Sequence, residues 1–200
     1  MDCSQYFIEL NRMLTENNGV LRTKDVVKAN IPRTYLSLFA KENNLENIQR
    51  GVYLSPDSIA DGMYLLQCTF EKTIFSHDTA LFLHNLTDRE PLRYTVTVKT
   101  GYNPKGLVEQ GIKVYRIKPD LFELGLTQSQ TPFDRTVLVY NKERTVCDII
   151  RSRNSMDFQI VQDALKQYLS IKEKNIPLLM RYAKELRVDN ILFKYLEVLL

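Results

Sequence analysis

The segment "NIPRTYLSLFAKENNLENIQRGVYLS", Asn30 to Ser55, decides the fold that the sequence predicts for the first part of the chain. Pro32 fits the first turn of a helix, because the N–H that proline lacks has no partner there. The helix then runs to about Glu42, and "NLENIQRGVYL" predicts two short strands around a turn at Arg50 and Gly51. The segment therefore predicts a helix followed by a β-ribbon.

Two further helices are expected before this segment. "CSQYFIELNRMLTEN" places apolar residues at helical spacing, and "NNG", ending at Gly19, stops that helix. Thr23 is a suitable N-cap for a short second helix over "KDVVKAN". Three helices followed by a ribbon is the order of a winged helix-turn-helix, and the tight connection between the second and third helices favours it.

The pattern changes after Ser55. A helical stripe in "SPDSIADGMYLLQCTF" leads to alternating, β-branched segments that predict strands: "KTIFS", "RYTVTVK", "IKVYRIK" and "RTVLVY". From Lys142 onward the pattern is helical. The expected fold class is α+β, with a winged helix-turn-helix over residues 1–54 and, over residues 55–200, a domain with a small mixed sheet and a helical bundle.

Composition indicates an ordinary globular chain, with 26% charged and 44% hydrophobic residues and a net charge of +3. Neither a signal peptide nor a stretch of about 18 apolar residues is found, so no membrane partner is expected. The three cysteines, Cys3, Cys68 and Cys147, form no CxxC pair. They are predicted to be buried thiols of a protein in the reducing cytoplasm.

Periodicity divides the third helix of the winged helix into two faces. The inner face should carry Leu36, Phe39 and Ala40, and the outward face should combine hydroxyl groups and cations with an apolar Leu38. Such hydroxyls and cations can bond phosphates and base edges in a major groove, although a solvated face or a protein-binding module remains an alternative. The predicted DNA-binding residues are Lys24, Arg33, Thr34, Tyr35, Ser37, Lys41 and, in the ribbon turn, Arg50.

Two segments suggest enzymatic sites and lack what those sites require. "SHDTALFLH" holds both histidines, His77 and His84, without the partners of a zinc site or the convergence of a catalytic triad. We expect Ser76 or Asp78 to cap a helix there. The strand ending at Lys99 lacks the carboxylate of a metal-dependent nuclease. No catalytic residue, metal ion or cofactor is predicted, and a nuclease or modifying enzyme remains the alternative.

The helix predicted directly after the last strand carries a mixed charge cluster in "KERTVCDIIRSR". Glu143, Arg144 and Asp148 are spaced to form ion pairs within one helix. The alternative is a second nucleic-acid or partner surface formed by Arg144, Arg151 and Arg153.

Taken together, "GVLRTKDVVKANIPRTYLSLFAKENNLENIQRGVYLS", "FSHDTALFLHNLTDREP" and "ERTVCDIIR" resemble the AbiEi family of bacterial antitoxins in order and spacing. The resemblance covers essentially the full chain. It implies a type IV antitoxin of an abortive-infection (phage-defence) operon.

The same resemblance implies the partners. The winged helix would bind inverted repeats in double-stranded DNA of its own promoter and repress the operon. The C-terminal domain would neutralise a nucleotidyltransferase-like toxin without forming a stable complex with it.

Overall fold

The computed structural model describes residues 3–199, and the side chains of residues 4–197. The chain is a mixed α+β protein, as predicted, and it divides into two compact units between Glu71 and Lys72. This division differs from the expected boundary after residue 54, because the helix that follows Ser55 belongs to the first unit.

The first unit contains the predicted three helices and ribbon. Its elements are α1 Cys3–Glu16, β1 Val20–Arg22, α2 Thr23–Lys28, α3 Arg33–Glu42, β2 Glu46–Gln49, β3 Val52–Leu54 and α4 Gly62–Thr69. The sheet has the order β1-β3-β2 and is antiparallel throughout. Strand β1 was not predicted, because three residues are too few to show a period of two.

The predicted start of α2 is wrong in its detail. Thr23 is already the first helical residue, and Arg22 occupies the N-cap position without a side-chain capping bond. Strand β1 runs directly into α2, which leaves no turn for Thr23 to cap. Helix α3 likewise begins one residue later than expected, at Arg33, with the extended Pro32 before it.

Apolar packing explains why α4 belongs to the first unit. Leu65 of α4 is 6% exposed and forms one cluster with Val20, Val52 and Leu54 of the sheet. Asp61 fixes the start of the helix by accepting hydrogen bonds from the backbone N–H groups of Met63 and Tyr64. The other face of the unit is a separate core between α1, α2 and α3.

The second unit is built around a five-stranded mixed sheet of order β6-β5-β4-β8-β7. Pairs β4–β8 and β5–β6 are parallel, and pairs β4–β5 and β7–β8 are antiparallel. Its strands are β4 Ile74–Phe75, β5 Thr95–Lys99, β6 Lys113–Ile117, β7 Leu126–Gln130 and β8 Thr136–Tyr140. Its helices are α5 His77–Leu83, α6 Lys105–Glu109, α7 Lys142–Arg151, α8 Phe158–Ser170, α9 Ile176–Glu185 and α10 Asp189–Leu199.

Helix α7 lies at the centre of this unit. Eight consecutive residues, from Glu143 to Ile150, are buried, so polar and apolar faces alike are covered. Cys147 is buried among them, as predicted, whereas Cys68 is partly buried and the side chain of Cys3 lies outside the described residues. Two elements were missed: edge strand β7, whose "LTQSQ" is largely polar, and the short helix α6, predicted as a turn.

Candidate nucleic-acid interface

A basic groove lies in the first unit between α2, α3 and the turn that joins β2 to β3. Its volume is about 770 Å³, and Ser37 and Asn47 contribute polar groups to its wall. One carboxylate, that of Glu71, also lines it. The basic residues that line it are Arg22, Lys24, Lys28, Arg33 and Arg50.

The wing, which is the ribbon of β2 and β3 with its turn at Arg50 and Gly51, is held against α2 by a backbone contact. Gly51 has a φ of +77°, a left-handed conformation that glycine adopts without steric cost, and this closes the turn after Arg50. The backbone N–H of Thr23 then donates to the carbonyl oxygen of Gly51 at 2.8 Å. Arg50 is therefore carried to the same groove as the first turn of α2.

The two faces of α3 are those that periodicity predicted. Leu36, Phe39 and Ala40 are buried, and Leu38 is 51% exposed. The predicted polar residues on the outward face are all exposed: Arg33, Thr34, Ser37 and Lys41.

The structure brings together some of the predicted DNA-binding residues and separates others. Lys24, Arg33, Ser37 and Arg50 line the groove, whereas Thr34 and Lys41 do not. Tyr35 is partly buried, and its ring lies 4.7 Å from that of Tyr6 on α1. It therefore packs against the helical core as well as flanking the exposed face.

Among the groove residues that sequence reasoning missed are the cations Arg22 and Lys28 and the amide side chain of Asn47. Lys28 follows Lys24 by four residues, so helical periodicity could have placed both cations on one side of α2. Arg22 could not be found in this way, because it is in a strand and pairs with Asp25 at 2.5 Å.

Lys24 already has a carboxylate partner within the unit. Its ammonium group forms an ion pair with Glu71, beyond the end of α4. A phosphate at this position would have to compete with that carboxylate, unlike one at Arg33 or Arg50.

The prediction of a second surface is wrong for Arg144. It is 0% exposed, and its Nε donates to both carboxylate oxygens of Asp148 at 3.1 Å. Its Nη1 donates to the carbonyl oxygens of Leu121 and Leu124 at 2.9 Å, and its guanidinium lies over the ring of Tyr140. The ion-pair alternative is therefore correct for this residue, which contributes no surface.

The other two arginines of that prediction differ from Arg144. Arg151 is exposed, and Arg153 is partly buried and donates to the carbonyl oxygen of Ile150 at 3.1 Å. A surface role for these two residues stays a prediction.

The two histidines of the chain are held in separate hydrogen-bond environments. The His77 ring nitrogens lie 3.0 Å from the Ser76 hydroxyl and 2.9 Å from the Ser152 hydroxyl, while His84 Nε2 lies 2.6 Å from the Tyr140 carbonyl oxygen. Burial lowers the pKa of both rings. Within residues 3–199, no group of three or more His, Cys, Asp or Glu side chains is arranged to hold a metal ion.

The capping prediction at this segment is only partly correct. Ser76 occupies the N-cap position of α5, but its side chain makes no capping bond. Its hydroxyl instead lies beside the His77 ring and accepts from Thr97 at 2.8 Å. Asp78 is in the first turn of the helix.

Comparison with known proteins finds a family whose model matches part of the first unit. Residues 11–56, which include α2, α3, the wing and the basic residues of the groove, match the family described as "Transcriptional regulator, AbiEi antitoxin". For this segment, the match confirms the family resemblance seen in the sequence.

The fold over most of the chain also has a counterpart among solved structures. The crystal structure of the RV2827C protein from Mycobacterium tuberculosis is similar, with a TM-score of 0.58 over 90% of this chain and 71% of that one. The sequence identity is 14%, so this likeness concerns the fold. No curated protein matches the chain.

Two further findings bear on its class. The AbiEi family is described by transcriptional regulation, which is consistent with the prediction of a non-enzymatic protein. Within the described part of the chain, no helix is long and apolar enough to cross a membrane.

Proposed function

We propose that this protein is the antitoxin of a type IV abortive-infection system and that it represses its own operon from the cytoplasm. Its winged helix would bind inverted repeats in the promoter. Its second unit would oppose a nucleotidyltransferase toxin without forming a stable complex. The observation that carries the DNA-binding part is the basic groove, because five cations converge there within the segment that matches the AbiEi family.

The groove suggests a division of roles among its residues. Arg33 and Ser37 are one helical turn apart on α3, and they would meet phosphates or base edges where the helix enters a major groove. Arg50, in the wing, would contact the neighbouring backbone. Thr34 and Lys41, exposed on the same helix outside the groove, would extend the contact along α3.

The experiment is a binding titration of the full chain against its own upstream DNA at several salt concentrations. Arg33→Ala and Arg50→Ala should each weaken binding about tenfold and reduce the salt dependence by about one released ion, because each would remove a phosphate contact. Arg12→Ala is the matched control. Arg12 is a cation of the same unit that pairs with Glu9 and Glu16 on α1 and does not line the groove.

The outcomes separate the alternatives. Wild-type affinity in both groove variants would reject the assignment of the groove. Failure of the wild-type chain to bind any upstream fragment would favour a protein-binding winged helix, for which the exposed Leu38 is the natural contact.

The antitoxin part needs a separate test. The Arg33→Ala, Arg50→Ala double variant, co-expressed with the nucleotidyltransferase toxin proposed as its partner, should still protect cells, because the proposal assigns neutralisation to the second unit. Loss of protection in a folded double variant would show that the first unit takes part in neutralisation.

A further inference from the structure

A smaller cavity lies within the second unit, and none of its lining residues lines the basic groove. Its volume is about 310 Å³, and its walls come from β5, β6, the start of α5, α7 and the turn after α7. The side chains that matter for its chemistry are Tyr115, Arg116, Arg144, Asp148, Arg151 and Ser152.

Two buried polar atoms of this wall have no partner. The hydroxyl of Tyr115 and Nη2 of Arg144 are the two buried side-chain nitrogen or oxygen atoms without a hydrogen bond within the described residues. Leaving such a group unpaired is unfavourable, so native structures rarely contain one without a ligand, an ion or a water. Both residues line the same cavity, and both groups can donate a hydrogen bond.

The rest of the Arg144 side chain is fixed in place. Nε is used by Asp148, Nη1 by two backbone carbonyls, and the flat face of the guanidinium by Tyr140, whose ring centre lies 4.3 Å away. The one nitrogen left over is therefore held rigidly, which is the condition under which a donor binds an acceptor with little loss of entropy.

Tyr115 is fixed as well. Its ring stacks on that of His77 at 3.4 Å with 8° between the planes, and the His77 ring is held by Ser76 and Ser152. Phenol rotation is therefore restricted without any hydrogen bond being made by the hydroxyl itself.

The charge of the cavity favours an anion. Three guanidinium groups, those of Arg116, Arg144 and Arg151, line it together with one carboxylate, that of Asp148. The Asp148 carboxylate is 4% exposed and is already paired with Arg144. Arg116 and Arg151 are exposed, so they can approach a ligand that enters from solvent.

From these observations we infer that the cavity binds a phosphate monoester. A phosphate group presents several acceptor oxygens in different directions, which suits donors from a phenol, a buried guanidinium and two exposed arginines. The volume leaves room for a phosphate and a small attached group. The same chemistry is offered by a free nucleotide and by the 5′-phosphate of a nucleic-acid end.

The test uses the full chain and calorimetric titration with inorganic phosphate, adenosine 5′-monophosphate and adenosine. Phosphate and the monophosphate should bind, and adenosine should not. A 5′-phosphorylated trinucleotide compared with its unphosphorylated form then distinguishes the two sources, since only a nucleic-acid end site would prefer the trinucleotide to the mononucleotide.

Two variants tie the binding to this cavity. Tyr115→Phe removes the unpaired hydroxyl while keeping the stacked ring, and it should weaken phosphate binding about threefold to tenfold. Arg151→Gln, at an exposed position, should weaken it about tenfold or more. Arg181→Gln is the control, because Arg181 is an exposed cation of the same unit that does not line the cavity.

Absence of binding of every phosphate-bearing probe to the wild-type chain would overturn the inference. Equal affinity in wild type, Tyr115→Phe and Arg151→Gln would also overturn it, because the anion would then be bound elsewhere. Thermal melts of both variants verify that a loss of binding is not a loss of fold.

Discussion

The basic groove and helix α7 use arginine in opposite ways. Arg33 is exposed at the start of α3, and Arg50 is exposed at the wing turn, where solvent or a phosphate can reach it. Arg144 is 0% exposed and is surrounded by a carboxylate, two carbonyls and an aromatic ring. The same side chain is exposed in one unit and buried among partners of its own chain in the other.

The difference shows that a count of cations does not locate a nucleic-acid surface. Arginines occur both in the predicted DNA-binding set and in the predicted second surface, yet Arg144 of the second surface is 0% exposed. What separates them is whether carbonyl and carboxylate groups of the same chain already satisfy the guanidinium.

Arg144→Gln should have the largest effect on stability. Removing one member of a buried ion pair leaves the Asp148 carboxylate and two carbonyls without their donor, so the second unit should lose about 3–5 kcal/mol of unfolding free energy. Urea denaturation of the full chain measures it. Arg181→Gln, an exposed matched change, should stay within about 0.5 kcal/mol. Equal stabilities would mean that the buried arginine is not structural.

Leu65→Ala comes next, and it tests the division of the chain. This side chain fills the cluster between α4 and the first sheet, so the change should cost the first unit about 3 kcal/mol. Ile59→Ala, at a residue 63% exposed just before α4, should change little. Hydrogen exchange of amides in α1 and α3 reports on this unit. Unchanged exchange in Leu65→Ala would place α4 outside it.

The effect of pH on the stability of the second unit should be smaller than the effects of these two substitutions. Burial depresses the pKa of His77 below its ordinary 6.5, with Lys113, Arg144 and Arg151 acting in the same direction. The unfolded chain therefore binds a proton at His77 more readily than the folded unit does. The contribution of His77 to the free energy of unfolding is complete above about pH 6.5, and it decreases as the pH falls below that value. His84 acts in the same sense.

His77→Asn tests this dependence. Asparagine tolerates the left-handed backbone of this position, where φ is +48°, and it has no proton to bind. The stability lost between about pH 7.5 and pH 5.5 should be smaller in the variant than in wild type. Asp148, whose pKa burial raises, acts in the opposite sense and is common to both proteins, so an unchanged slope would exclude His77 as a contributor.

Leu38→Ser should have the smallest effect. The side chain is half exposed and does not line the groove, so stability should change by less than about 0.5 kcal/mol. Promoter affinity should change by less than about threefold, since no phosphate contact is removed. A large loss of affinity would place Leu38 within the DNA contact.

Much of the first unit could be predicted from local pattern. The faces of α3 follow from helical periodicity, and the turn at Arg50 and Gly51 follows from the residues flanking it. Strand β1 could not be found, because its partner β3 lies some thirty residues further along the chain and supplies what three residues cannot show alone. The place of α4 was missed for the same reason.

The site residues follow the same rule. Exposure of Arg33, Ser37 and Lys41 was predictable, because it depends on helical position alone. Burial of Arg144 was not, because the carbonyls that bind it come from residues 20 and 23 positions earlier in the chain.

The segment before β7 is tied to α7 more closely than chain distance suggests. The carbonyls of Leu121 and Leu124 bind Arg144, and a Cβ added at Gly125 would lie 2.6 Å from the Arg144 Cβ. Local opening of this connection would remove both carbonyl acceptors of the Arg144 Nη1 group, while the ion pair with Asp148 within α7 would remain. Such a loop, ordinarily among the first parts of a domain to open, should here open only together with the central helix, as a single cooperative element.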